Sequence, residues 1–144
     1  MEINQTNKNS ILFISVRADF GGGPQQLYRT VLAIQNEYNI YVACPDSKPY
    51  FELLADVVGE ERIIRIPHRS FNLFSFLKLL KTIRLKNIDL IHSHGKGAGL
   101  YSRLLSKLTA VPCVHTFHGI HIGGLNSIKR FFYIWLERCL GAFS

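Results

Sequence analysis

Carboxylates all but vanish from the second half of this chain. Residues 62–144 carry thirteen Lys and Arg against two Asp and Glu, and between Arg62 and Trp135 the only carboxylate is Asp89. Residues 1–61 run the other way, with four against eight, so the formal +7 of the 144-residue chain comes entirely from its second half. The imbalance calls for an anionic partner: a phosphate-bearing ligand, an anionic membrane face or nucleic acid. Nucleic acid fits worst, because no helix-turn-helix, finger or aromatic–basic RNA motif is present.

Cysteine is equally sparse. Cys44, Cys113 and Cys139 are odd in number and far apart, which excludes a disulfide framework and a CxxC metal pair and points to reduced thiols in a cytosolic protein. No apolar run reaches the roughly 18–20 residues of a membrane span. Met1 to Ser10 is polar and lacks the apolar core of a signal peptide. The phosphate-binding signatures GxGxxG and GxxxxGK[ST] are missing, and no acidic residue closes the second expected strand, since Asp46 lies beyond Pro45. These absences argue against a dinucleotide- or flavin-binding domain.

What is present is alternation. With 47% hydrophobic and 19% charged residues, the chain is globular and long enough for one domain with its own core. After a polar tail over residues 1–10, Ile11 to Val16 reads as a buried strand. Pro24 to about Asn36 reads as a helix with Leu27, Val31, Leu32 and Ile34 on its apolar side. Asn39 to Cys44 is a second strand, followed by a helix with Tyr50, Leu53, Leu54, Val57 and Val58 inward and Gly59 stopping it. Ile63 to Ile66 is a third strand. Phe71 to Leu85 is a helix with Leu73, Phe76, Leu77, Leu80 and Ile83 on one face and Lys78, Lys81 and Arg84 on the other. Asp89 to His92 is strand four, Gly99 to Leu108 its crossover helix, Val111 to Phe117 strand five, buried on both faces, and Ile128 to Leu140 a last helix. Strands alternating with helices predict an α/β, Rossmann-like, doubly wound parallel sheet over residues 11–144.

Three strand ends then converge on one crevice, where open α/β sheets take their ligands. Strand one runs into Gly21-Gly22-Gly23, where glycine lets backbone approach a ligand and the first helical N–H groups face an anion. Strand four is followed by His94-Gly95-Lys96, expected at the rim. Strand five runs into His118-Gly119, an imidazole able to donate to a sugar hydroxyl or stabilise developing charge. His92 and His115 are expected to pack. The six histidines match no zinc spacing, so no metal is expected. The basic segments Phe71–Lys86 and Lys129–Arg138, the latter with Phe131, Phe132, Tyr133 and Trp135 beside Lys129 and Arg130, suit a membrane interface carrying anionic lipid.

The glycine loop, Asp89-Leu-Ile-His-Ser-His-Gly95 and Val111-Pro-Cys-Val-His-Thr-Phe-His-Gly119, in that order, resemble the N-terminal domain of family 4 glycosyltransferases, retaining enzymes of the GT-B fold. The resemblance covers residues 11–144. It implies one half of a GT-B fold, the acceptor-binding half of a hexosyltransferase, with no cofactor beyond a nucleotide-sugar co-substrate held mainly by a second domain. It implies His118 as the catalytic contact to the donor sugar, Gly22 and Gly23 at the donor diphosphate, and His94, Gly95 and Lys96 on the acceptor side. It also implies a metal-independent reaction, in keeping with the missing Asp-x-Asp. The expected setting is cytoplasmic and peripheral on the inner membrane face, in surface polysaccharide synthesis on a lipid-linked acceptor. The family's second domain, which carries its Glu-x7-Glu motif, is not expected within these residues. The expectation is therefore a truncated chain, a broken gene or one subunit of a split enzyme, inactive alone. The alternatives are a non-catalytic acceptor- or membrane-docking subunit of such a split transferase, and a sugar-nucleotide 2-epimerase. The epimerase is disfavoured because it needs cleft carboxylates.

Overall fold

A computed structural model describes residues 8–119 and 126–141. Five strands, β1 (Ser10–Ser15), β2 (Asn39–Cys44), β3 (Ile63–Arg65), β4 (Leu90–His94) and β5 (Cys113–Thr116), form one parallel sheet in the order β3-β2-β1-β4-β5. Between them run α1 (Gly22–Ile34), α2 (Tyr50–Val58), α3 (Leu73–Leu85) and α4 (Lys96–Thr109), and α5 (Ser127–Gly141) follows β5. This is the expected α/β, Rossmann-like architecture.

The period-two geometry of β1 divides the core. Ile11 and Phe13 face a layer built with Leu27 and Val31 of α1 and Tyr50, Phe51 and Leu54 of α2. Leu12 and Ile14 face Phe76, Leu79 and Ile83 of α3 and Ala98, Tyr101 and Leu105 of α4. Each such side chain contributes about 1.5–3 kcal/mol by leaving water. Polar groups pin the ends of the elements. Asp89, the lone carboxylate of the basic half before α5, accepts the Ser10 N–H at 2.8 Å and so ties the start of β1 to β4. Asn72 caps α3 by accepting from the Ser75 N–H at 2.9 Å, a bond worth about 1 kcal/mol. The Asn72 N–H in turn donates to the buried Tyr101 hydroxyl of α4 at 2.7 Å.

Several expectations are corrected. β5 is not buried on both faces; it is one of the two edge strands of the sheet among the described residues, and Val114 is 48% exposed. Cys113 is buried and its neighbour Val114 exposed, the alternation that burial on one side gives. On α3 the inward stripe is Phe76, Leu79, Leu80 and Ile83, while Leu73 and Leu77 face solvent with Phe74. Leu32 is likewise exposed on α1. α1 begins at Gly22 and α4 at Lys96, each earlier than the expected Pro24 and Gly99. Of the expected tail, residues 1–7 lie outside the described residues. Lys8 and Asn9 hydrogen-bond Asn36 and Asn39, and Ser10 is already in β1.

Candidate functional site

The strand order reverses between β1 and β4, so the connections leaving their carboxyl ends diverge to opposite faces of the sheet and leave a crevice. A cavity of about 520 Å³ fills it. Its walls are the exit of β1 (Ser15, Val16, Arg17), the start of α1 (Gly22, Gly23, Pro24), the β4–α4 junction (His94 to Gly97), Arg69, and His118 with Gly119. Seven residues expected at the site are thereby brought together: Gly22, Gly23, His94, Gly95, Lys96, His118 and Gly119. Gly21 is not in the wall; it precedes α1 and its carbonyl accepts the Gln25 N–H at 3.1 Å. Lys78, Lys81 and Arg84 are exposed on α3, and Arg130 on α5. The side chain of Lys129 lies outside the described residues.

Two helix N-termini face the cavity. The first-turn amides of α1 and α4 have no intrahelical acceptor, and both helices present their positive dipole ends here. Gly95 has φ +82°, a conformation that glycine alone adopts without strain, and its N–H donates to the Thr116 carbonyl at 3.0 Å. That turn lets β4 pass directly into α4. A Cβ at Gly97 would meet Val16 Cγ2 at 2.8 Å, so α4 lies close against the exit of β1.

Arg17 and Arg69 entered the site unannounced. Arg17 binds Asp19 through Nε at 2.8 Å and Nη2 at 3.0 Å, and donates to the Phe20 carbonyl at 2.9 Å. The Arg17 hydrogen bond holds the Asp19 carboxyl below the usual carboxylate range. Arg69 reaches Asp19 at 3.9 Å, and its N–H donates to the Val16 carbonyl at 2.9 Å. Arg17 directly follows β1, and its position at a strand's carboxyl end was a usable signal. Arg69 arrives by tertiary folding of the β3–α3 loop, which no local pattern announces.

The imidazoles form the rear wall. His94, expected at the rim, ends β4 instead and is 3% exposed. The strand runs two residues beyond its expected end at His92 because Ser93 and His94 still pair with β1 and β5. His94 Nδ1 lies 3.0 Å from His118 Nε2, with the rings 5.2 Å apart and 19° from parallel. Burial, and then the neighbouring His92, pushes His94 down to about 3. His118 is also lowered, by burial. His92 bonds Thr116 Oγ1 at 2.9 Å, and His115 Nδ1 bonds Ser93 Oγ at 2.8 Å, so both are packed as expected. Burial, then the Arg103 charge, lowers His115 to about 4. Among the described residues, no three His, Cys, Asp or Glu side chains are grouped to hold a metal. Nor is any described helix long and apolar enough to cross a membrane.

Residues 20–143 match Glycosyltransferase Family 4. Over 112 residues the chain is 31% identical to the UDP-Gal:alpha-D-GlcNAc-diphosphoundecaprenol alpha-1,3-galactosyltransferase of Escherichia coli, a match covering 70% of this chain and 27% of that protein. The fold resembles a glycosyltransferase from Rickettsia africae ESF-5, with TM-score 0.60, 23% identity, and coverage of 88% of this chain and 34% of the other. It also resembles Anabaena Alr3699/HepE in complex with UDP-glucose, with TM-score 0.64, 17% identity, and coverage of 86% and 33%. The chain thus spans about a quarter to a third of the length of these proteins.

Proposed function

The chain belongs to glycosyltransferase family 4, and from that premise we propose that it is the acceptor-side domain of a retaining, metal-independent hexosyltransferase. The transferase moves a sugar from a nucleotide-sugar to a lipid-linked glycan acceptor in surface polysaccharide synthesis, at the cytoplasmic face of the membrane. The observation that carries this reading is the convergence of two helix N-termini and the His118 imidazole on one cavity, beside which Asp19 is held by Arg17.

Each element has a part. The amides of Gly22 and Gly23 approach the donor diphosphate, where the α1 dipole favours negative charge. His118, neutral at pH 7 because burial lowers its affinity for a proton, donates a hydrogen bond to the donor sugar beside the reacting carbon. His94, Gly95 and Lys96 bound the acceptor side. Transfer forms the bond from acceptor oxygen to anomeric carbon on the face that the phosphate leaves. The anomeric carbon–phosphate oxygen bond breaks, and the acceptor proton passes to the departing phosphate. Cations and amides fixed around the cavity stabilise that phosphate without reorganising. The nucleotide is held mainly by a second domain, so this chain alone binds nucleotide-sugar weakly and does not turn over. The E. coli relative, whose acceptor is a diphosphoundecaprenol-linked sugar, supports the choice of acceptor class.

The test is His118→Ala in a transferase carrying this domain together with its donor domain, assayed with a UDP-sugar and a diphosphate-lipid acceptor. Turnover is expected to fall by about 10²–10³ with an unchanged thermal midpoint. Wild-type turnover in a folded variant removes the catalytic assignment.

A further inference from the structure

The histidine pair at the back of the cavity has more to say than its proximity. His94 is 3% exposed and wedged among three rings, with His92 at 4.5 Å, His118 at 5.2 Å and Phe13 at 6.1 Å between centroids. Its Nδ1 meets His118 Nε2 at 3.0 Å, while its other nitrogen, Nε2, is buried and has no hydrogen-bond partner among the described residues. One proton must lie between the two facing nitrogens, and it can belong to either ring.

If it belongs to His118, then His94 Nδ1 is the acceptor and the neutral His94 ring must carry its own proton on Nε2. That places an N–H donor in a buried position with no acceptor. If it belongs to His94, the atom left unpartnered is only a lone pair. Buried donors without acceptors are rarer than under-used acceptors, because an N–H loses its whole bond to water. A third arrangement, an imidazolium at either ring, has no free carboxylate among the described residues to stabilise it. The groups facing the pair are His92 and His115 from β4 and β5 and the cations Arg17, Arg69 and Lys96 around the cavity, with Asp19 engaged by Arg17. Burial disfavours the charged form of both rings in the same direction.

We propose that His94 is a positioning residue: it donates from Nδ1 to His118 Nε2 and so locks His118 in the tautomer that carries its proton on Nδ1. His118 then holds a hydrogen-bond donor on the side of its ring away from His94 and has no basic nitrogen left to offer there. Free imidazoles favour the opposite tautomer, with the proton on Nε2, so the lock imposes a state that His118 would not choose. Donation is what a sugar hydroxyl oxygen or a phosphate oxygen requires, so this deepens the transferase reading and, for its functional consequence, rests on it.

The tautomers are read directly by long-range ¹H–¹⁵N correlation on ¹⁵N-histidine-labelled protein at neutral pH, without substrate. Both His94 and His118 are expected to show pyrrole-type Nδ1 and pyridine-type Nε2 resonances. A pyrrole-type Nε2 on His118 overturns the proposal, and this measurement needs no variant. His94→Phe keeps an aromatic ring in the pocket and removes the donor; His118 Nε2 is then expected to move toward the pyrrole-type position. An unmoved His118 in the folded variant also overturns it. In the active two-domain transferase, His94→Phe is expected to lower kcat in the wild-type background and to have no further effect once His118 is alanine. The two ideas fail separately: unaffected turnover in His118→Ala sinks the catalytic role and leaves the lock standing, whereas a wrong tautomer sinks the lock alone.

Discussion

The His118 imidazole rests on Gly23: a Cβ at that position would lie 3.1 Å from its Cδ2 and 3.4 Å from its Cγ. These separations are tight enough that an added methyl must push something. The backbone of α1 is fixed by its hydrogen bonds, and the ring is fixed from behind by His94 at 3.0 Å. In Gly23→Ala the ring is therefore expected to shift by a few tenths of an ångström and the His94–His118 bond to weaken. The helix gains up to about 1 kcal/mol from replacing glycine, so overall stability should hold or rise slightly. NMR resonances of His118 that move while the denaturation midpoint stays put would bear this out. Unchanged His118 resonances would mean the ring has room to spare.

Acid should weaken the fold through the same imidazoles. His94 at about 3 and His115 at about 4 both lie below the ordinary 6.5, so between those values the unfolded chain binds protons that the folded chain refuses. Stability is fully present above pH 6.5 and is lost as pH falls through that window, by about 1.4 kcal/mol per pH unit for each histidine fully excluded from protonation. Urea midpoints at pH 7.5 and pH 5 should differ in that direction. The difference should shrink in His94→Phe. A midpoint that holds steady or rises on acidification contradicts the buried, neutral state of the cluster.

The alternation of strands and helices was legible because each apolar run is short and bounded by glycine, proline or polar residues. The crevice was legible because each of the three strand ends that meet there is followed by glycine. What escaped was whatever depends on neighbours. His94 looks like a rim residue next to Gly95 and Lys96, but pairing with Ser15 and Thr116 carries it inside. Leu73 and Leu77 fit the apolar stripe of α3 as well as Phe76, Leu80 and Ile83 do, and only the packing against the rest of the core decides which turn inward. Arg103 sits mid-helix like any solvated cation, yet it is buried, because α5 brings a carboxylate to it.

The outward stripe of α3 pairs apolar with basic residues, since Leu73, Phe74 and Leu77 are exposed alongside Lys78, Lys81 and Arg84. On α5, Ile128, Phe131, Phe132 and Trp135 are exposed as well. Basic residues near an anionic bilayer are worth about 1 kcal/mol each, so reversing all three on α3 to Glu should cost at least on the order of a hundredfold in partitioning. Sedimentation with vesicles of anionic lipid, at low and raised salt, measures it. Leu77→Ser should weaken binding at both salt concentrations, because its contribution is burial and not charge. Equal binding by the triple reversal would return α3 to an ordinary solvated face.

α5 is held to α4 by Arg103 and Glu137, 2.7 Å apart and with side chains only 3% and 19% exposed, and the Arg103 guanidinium also lies 5.6 Å over the Phe117 ring. Arg103 Nε has no partner among the described residues, so desolvation of this cation is incompletely offset even with Glu137 in place. Removing only Glu137 leaves an uncompensated buried charge, a change that costs about 3–5 kcal/mol where burial is complete. Glu137 keeps some access to water, so Glu137→Ala should fall toward the lower end, with amide exchange in α5 rising before exchange in the sheet. Replacing the cation as well changes the sign of the argument. Arg103→Met with Glu137→Leu removes both desolvation penalties while keeping the volume, and it should be close to neutral or mildly stabilising. Thermal midpoints of the single and double variants decide the matter. If the double variant is as unstable as Glu137→Ala, the pair contributes net stability, and α5 depends on the charges themselves more than on the apolar stems beneath them.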